Sequence, residues 1–97
     1  GVPDDAVAVL SNIAYVAQKS GTESDEGVLL PKSVLREDLS DKKPDYIEKN
    51  LLELRRRSLI EILPRENNQE TIIFRPEILS RVKKIKEWLP RFEMSVG

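Results

Sequence analysis

Residues 45–76, DYIEKNLLELRRRSLIEILPRENNQETIIFRP, constrain the fold of this chain more than any other stretch. In the first half, Ile47, Leu51 and Leu54 recur at spacings of four and three residues, which predicts one buried face of a helix. The second half, residues 59–76, holds two runs of β-branched and aromatic side chains around a polar turn, which predicts a hairpin. We therefore expect a helix that leads directly into two antiparallel strands.

The remaining sequence predicts further elements, with helix punctuation at several boundaries. Asp4 and Asp5 open the first helix and Gly21 ends it, while Pro31 and Pro44 suit the first turn of later helices. The predicted elements are, in order, a helix over 6–20, a loop over 22–27, a short strand over 28–30, a helix over 31–40, a helix over 44–57, strands over 59–64 and 70–76, and a last helix over 77–89. This order indicates a mainly α protein with a small β-hairpin, an α+β fold.

The first helix has an unusually wide apolar arc, which Val9 and Val16 extend beyond the main stripe. The arc covers about half of the circumference, whereas a surface helix needs only about 100°. Either this helix is central to the monomer, or one edge of it is covered by a partner.

The composition excludes several classes of function. The chain has 97 residues, which suits one domain over residues 1–97, and it contains no cysteine and no histidine. Disulfides, thiol nucleophiles, histidine bases and zinc fingers are thereby excluded. We expect a protein that is not an enzyme, that carries no cofactor or metal, and that is intracellular without a membrane span.

Charge is distributed unevenly along the chain. The formal net charge is −1, but residues 1–49 carry a net of −4 and residues 50–97 a net of +3. This asymmetry indicates one basic surface rather than a uniformly neutral one.

In pattern, the run from Val34 to Leu63 resembles the winged helix-turn-helix superfamily. That family has a helix with three apolar anchors, then a small residue, then Leu-Ile leading into the wing. Here the anchors identified above are followed by Ser58 and Leu59-Ile60. The resemblance implies the order α-β-α-α-β-β-α, with a left-handed residue at position 58, where the family often has glycine.

If the resemblance holds, the third helix enters the major groove of double-stranded DNA and the hairpin tip touches the flanking backbone or minor groove. The chain would then be a dimeric transcriptional regulator or a DNA-handling component. The residues that the resemblance places at DNA are Lys43, Tyr46, Lys49, Asn50, Arg56 and Arg57 on the helix, and Arg65, Asn67, Asn68 and Gln69 at the tip.

The arginine triplet needs a separate interpretation, because consecutive helical residues point about 100° apart. Arg56 and Arg57 lie on the outward side and are the expected phosphate contacts, while Arg55 covers the core edge or pairs with a carboxylate. Three acids on or beside the same face disfavour DNA: Asp45, Glu48 and Glu53. A winged helix used as a protein-interaction module in a nucleic-acid-processing assembly therefore remains the alternative, with Leu52 among its contacts.

The last predicted helix, residues 77–89, has two interpretations. It either presents a solvated basic face while closing the core, or forms a homodimer through its apolar edge. The predicted dimer interface consists of Val9, Val16, Leu79 and Trp88.

Overall fold

The computed structural model describes residues 1–64 and 69–87 and gives an α+β fold. Its elements are α1 (Asp4–Ser20), β1 (Thr22–Ser24), β2 (Gly27–Pro31), α2 (Lys32–Asp38), α3 (Pro44–Arg56), β3 (Glu61–Leu63), β4 (Thr71–Phe74) and two 3-10 helices, Pro76–Arg81 and Lys83–Glu87. Within these residues, no helix is long and apolar enough to cross a membrane. The α+β class expected from the sequence is confirmed.

The wide apolar arc of α1 is explained by its central position in the monomer. The helix packs against α2, α3, β2, β4 and the second 3-10 helix. Val9 is 1% exposed and Val16 is 5% exposed, so both are covered by the chain itself. The predicted dimer contacts through Val9 and Val16 are therefore wrong, because neither side chain is accessible to a second copy.

The predicted loop over residues 22–27 is wrong, because it forms a β-hairpin with β2. The turn at Asp25 and Glu26 is closed by Ser24, whose Oγ donates to the Gly27 carbonyl oxygen (2.8 Å) and accepts from the Glu26 amide (3.2 Å). Gly27 adopts a φ of 134°, which side chains rarely allow. The polar composition concealed this strand because all three residues of β1 are exposed.

The four strands form one antiparallel sheet in the order β1-β2-β4-β3. Strand β4 lies inside the sheet and all four of its residues are buried. Its Ile72 pairs with Leu30 of β2 on one side and with Ile62 of β3 on the other. The strand that precedes α2 therefore lies beside the second strand of the predicted hairpin, not beside the first.

Helix α3 begins at Pro44 and ends at Arg56, in agreement with the predicted span of 44–57. Its three anchors, Ile47, Leu51 and Leu54, are all at most 2% exposed. They pack in the same core as α1. The predicted buried face of this helix is confirmed.

Ser58 ends α3 in the left-handed conformation that the family resemblance implies, with a φ of 61°. The Ser58 amide donates to the Arg55 carbonyl oxygen (2.9 Å), and the Leu59 amide donates to that of Leu54 (2.9 Å). These two bonds form a Schellman motif, which normally places glycine at this position. Leu59 and Ile60 are then buried, and they direct the chain into β3.

The single α-helix predicted over residues 77–89 is wrong for the described part. Residues 76–87 form two 3-10 helices, and between them Val82 has an extended backbone (φ −117°, ψ 94°). Ile78, Val82 and Ile85 are nevertheless buried at the predicted positions. Both an α-helix and a 3-10 helix return to the same face after three to four residues, so the pattern identified the buried side chains but not the backbone.

We predict that Ser58→Gly stabilises the protein. Glycine removes the steric cost of a side chain at positive φ, about 1–2 kcal/mol, while its extra unfolded-state entropy offsets part of the gain. The expected net increase in the free energy of unfolding is about 0.5–1 kcal/mol, measured by urea denaturation. Ser40→Gly, at an exposed serine without a positive φ, is the matched control and should not stabilise. A Ser58→Gly protein no more stable than wild type would contradict the proposed strain.

Candidate nucleic-acid interface

Helix α3 presents one solvent-exposed stripe on the side opposite its buried anchors. Asp45, Lys49, Leu52 and Arg56 fall within about 60° of one another around a helix with 3.6 residues per turn. All four are exposed; Leu52 is 57% exposed, and the side chain of Arg56 is 75% exposed. We call these four residues the outward stripe.

Two lysines of α3 are available to an anionic partner. Lys43 caps the start of the helix through its backbone, and Lys49 lies on the outward stripe. Both side chains are exposed, and neither has an ion pair or side-chain hydrogen bond with any residue that the structure describes. Among the charged predicted contacts that the structure describes, these two are without an ion pair.

Glu48, which the sequence places against DNA binding, is held by two cations of α2. Lys32 Nζ lies 2.7 Å from Glu48 Oε2, and Arg36 Nη2 lies 3.3 Å from the same oxygen. Lys32 Nζ also lies 2.6 Å from Glu70 Oε1, and the Lys32 amide donates to the Glu70 carbonyl oxygen at 3.0 Å. Lys32 thereby joins α2, α3 and the start of β4.

This cluster shifts the pKa of two of its members. Burial lowers the pKa of Lys32, but the hydrogen bonds and charges of Glu48 and Glu70 outweigh it, so the pKa is raised above the ordinary lysine value. The hydrogen bond and the charge of Lys32 hold the pKa of Glu70 below its usual value, with smaller contributions from Arg36 and Arg55. Arg55, which we expected at the core edge or paired with an acid, is exposed and acts on Glu70 only through its charge.

Glu53 binds two arginines of the triplet. Arg57 Nε lies 2.6 Å from Glu53 Oε2, and Arg56 Nη2 lies 3.1 Å and 3.0 Å from the two carboxylate oxygens. The hydrogen bond from Arg57, followed by that from Arg56, lowers the pKa of Glu53. Arg56 and Arg57, which the sequence predicts as phosphate contacts, therefore share one carboxylate.

Two predicted contacts are not free on the surface. Asn50 is only 4% exposed and its Nδ2 donates to the Tyr46 carbonyl oxygen (2.9 Å), so it cannot reach a base edge and the prediction for Asn50 is wrong. Tyr46 is half-buried and its hydroxyl donates to Asp5 Oδ1 (3.4 Å). Burial, then the Asp5 charge and hydrogen bond, raises the pKa of Tyr46.

The predicted hairpin-tip contacts are only partly described. Gln69 is exposed and precedes β4, whereas Arg65, Asn67 and Asn68 lie outside the described residues. On the described part of the hairpin, Glu61 forms an ion pair with Arg75 across β3 and β4, and Leu63 is 38% exposed.

The predicted dimer residue Leu79 lies away from α3. It is half-buried and lines an apolar groove of about 470 Å³ together with Ala17, Val28 and Phe74. Gly21 borders this groove, and a Cβ there would overlap the Val28 side chain and the Ala17 carbonyl oxygen. Trp88 lies outside the described residues.

Sequence reasoning missed Lys32 and Arg36, which form ion pairs with Glu48 of α3. Lys32 is 16 residues from Glu48 and 38 residues from Glu70 along the chain, and no local pattern links them. Among the described residues, no group of three or more acidic side chains is arranged to hold a metal ion.

We predict that Glu70→Gln lowers stability at neutral pH but not in acid. A carboxylate whose folded pKa is lowered contributes stability above its unfolded pKa, near 4.5, and loses it as the pH falls through the folded pKa. The expected loss at pH about 7 is about 1 kcal/mol or less, because Glu70 is partly exposed. The measurement is urea denaturation from neutral pH to acid. In a Lys32→Met background the pH-dependent difference should shrink to the smaller contribution of Arg36 and Arg55; a difference of undiminished size would contradict the assigned partner.

Comparison with known proteins gives no relative from which a function can be transferred. No protein-family model, no curated protein and no solved structure matches this chain. Its function has to be inferred from its own residues, above all from the charges and exposure of α3.

Proposed function

We propose that this chain is a winged-helix DNA-binding domain in which α3 enters the major groove. The observation that carries the proposal is the charge arrangement of α3. Its acids Glu48 and Glu53 are bound by cations, while Lys43 and Lys49 project without partners among the described residues. An exposed helix with such a surplus is suited to phosphate and base edges.

The order and pairing of the elements support the same proposal. Strand β2, α2, a turn over residues 39–43, α3 and the β3–β4 pair follow one another as in the winged helix-turn-helix family. The pairing order β2-β4-β3 places the hairpin at the edge of the sheet, next to the C-terminal end of α3. A fold of this kind supports several functions, so the charges of α3 carry the argument and the topology only agrees with it.

The remaining acid on the outward stripe is compatible with this function. Residues 43–57 carry five basic and three acidic side chains. Asp45 lies in the first turn of α3, where a negative charge is stabilised by the helix dipole. A carboxylate there can also accept a hydrogen bond from cytosine N4 in the major groove. Its presence therefore favours sequence preference over uniform binding.

The proposal predicts salt-dependent binding to duplex DNA through two lysines. Fluorescence anisotropy with a labelled duplex, from about 50 mM to about 200 mM salt, should show log affinity falling linearly with log salt. Lys43→Ala with Lys49→Ala should weaken binding to all sequences. It should also reduce the slope by about 1 per lost phosphate contact.

The matched control for this experiment is Lys19→Ala at the end of α1. Lys19 is exposed and lies over the Tyr15 ring, at 4.9 Å from its centroid, on a different helix. Lys19→Ala should leave the slope of log affinity against log salt unchanged. Absence of binding at low salt, or a slope that falls as much per lysine in Lys19→Ala as in the double variant, would refute the proposal.

One observation favours a second candidate, a protein-interaction module. Leu52 lies in the middle of the outward stripe and is 57% exposed, and phosphate offers an apolar side chain no contact. Interaction surfaces often place an apolar anchor within a charged rim. On this alternative, α3 docks onto a protein and Leu52 is its anchor.

Leu52→Ser separates the two candidates without disturbing the core. If α3 binds DNA through its cations, the variant should keep the wild-type salt slope, because Leu52 neutralises no phosphate. The same anisotropy titration measures this. A protein that binds no duplex, but whose self-association in sedimentation velocity depends on Leu52, would support the second candidate instead.

A further inference from the structure

Glu53 occupies a position from which one carboxylate reaches two cations of the arginine triplet. It precedes Arg56 by three residues and Arg57 by four, the spacings at which helical side chains meet. Glutamate placed before the cation at the latter spacing is the favoured orientation. The resulting pairs are therefore built into the helix sequence.

The two arginines are held differently. Arg57 uses Nε at 2.6 Å and its side chain is 34% exposed. Arg56 uses only Nη2, and its side chain is 75% exposed. Arg56 thus keeps most of its guanidinium donors free toward solvent, but its charge is shared with Glu53. The end of α3 therefore presents less positive charge than three consecutive arginines indicate.

We infer that Glu53 limits the affinity of α3 for phosphate by competing for Arg56 and Arg57, an inference that rests on the DNA-binding function proposed above. A phosphate that approaches either guanidinium has to displace the carboxylate or bind beside its negative charge. Exposed ion pairs are weak, so the competition reduces binding without abolishing it. Glu53 is an affinity-determining residue and not itself a DNA contact.

Glu48 lies on the same helix but has a different effect. Its cations come from α2, where Lys32 is mostly buried, with its side chain 13% exposed, and is also bound to Glu70. Releasing Lys32 would not supply an exposed cation to a ligand. Arg36 has a side chain that is 50% exposed, but it belongs to α2 and not to the outward stripe. Releasing Arg56 would supply an exposed cation, because Arg56 already lies on the outward stripe.

The test is Glu53→Gln, which keeps the side-chain size and the helix propensity while removing the charge. Anisotropy with a mixed-sequence duplex should show affinity higher by on the order of threefold to tenfold at about 0.1 M salt. The salt slope should steepen by about 0.9 for each additional phosphate contact. Circular dichroism should show an unchanged helix content.

A variant that lacks Arg56 and Arg57 shows whether the steeper salt slope of Glu53→Gln depends on these two arginines. In Arg56→Ala with Arg57→Ala, adding Glu53→Gln should produce no gain in slope. Asp45→Asn is the matched control, because it removes a charge from the outward stripe at a residue without an arginine partner among the described residues. Its effect should persist in that background.

The outcomes separate this inference from the proposed function. If wild type binds duplex DNA and Glu53→Gln changes neither affinity nor slope, or weakens binding, the inference is overturned and the proposed function stands. A steeper salt slope that persists in the variant without Arg56 and Arg57 also overturns the inference. In that case Glu53→Gln would act only by removing repulsion between the Glu53 carboxylate and phosphate. If neither protein binds duplex DNA, both the inference and the proposed function fail.

Discussion

The burial of α1 is the constraint on which the rest of the molecule depends. Because this helix is apolar over about half of its circumference, it packs against α2, α3 and the sheet at once. Helix α3 contributes Ile47, Leu51 and Leu54 to that shared core, and its rotation about its own axis is thereby fixed. The outward stripe is consequently determined by packing, so the exposure of Lys49 and Arg56 follows from the core.

Ion pairs then decide how much charge that stripe presents. Within the bounds of α3, Pro44–Arg56, three acidic side chains equal three basic ones in number, which disfavours a nucleic-acid ligand. In the folded chain, Lys32 and Arg36 neutralise Glu48 from outside the helix, while Glu53 is neutralised from within it. Because Glu48 is neutralised from α2, it occupies no cation of α3. Glu53, in contrast, occupies Arg56 and Arg57. The same residue type therefore has opposite consequences at two positions of one helix.

The sequence predicts the elements whose signal is local. The anchors of α3 and the proline at its start follow from spacing and backbone sterics, whereas the left-handed residue at Ser58 is what the family resemblance implies. Strand β1 was missed because an exposed polar strand carries no alternation of burial, and its turn depends on Gly27 and on hydrogen bonds of Ser24. The sequence also predicts the burial of Ile78, Val82 and Ile85, but not that their backbone forms 3-10 helices in place of an α-helix.

The candidate site was harder to predict, because its properties arise from contacts distant in sequence. Exposure could be assigned to Lys43 and Lys49 from the helical wheel alone. The burial of Asn50 could not, because its amide is satisfied by the Tyr46 carbonyl within the helix and its side chain then lies among core neighbours. Nor does any pattern identify Lys32, whose two acidic partners lie on other elements.

The proposed role of α3 is tested most directly by following backbone amide shifts of the isotope-labelled protein while a short DNA duplex is added. The account predicts that the largest shifts fall on Lys49, Leu52 and Arg56, with Lys43 beside them, and that amides in the middle of α1 do not respond. Shifts confined to the groove near Leu79, or no shifts at a large excess of duplex, would contradict it.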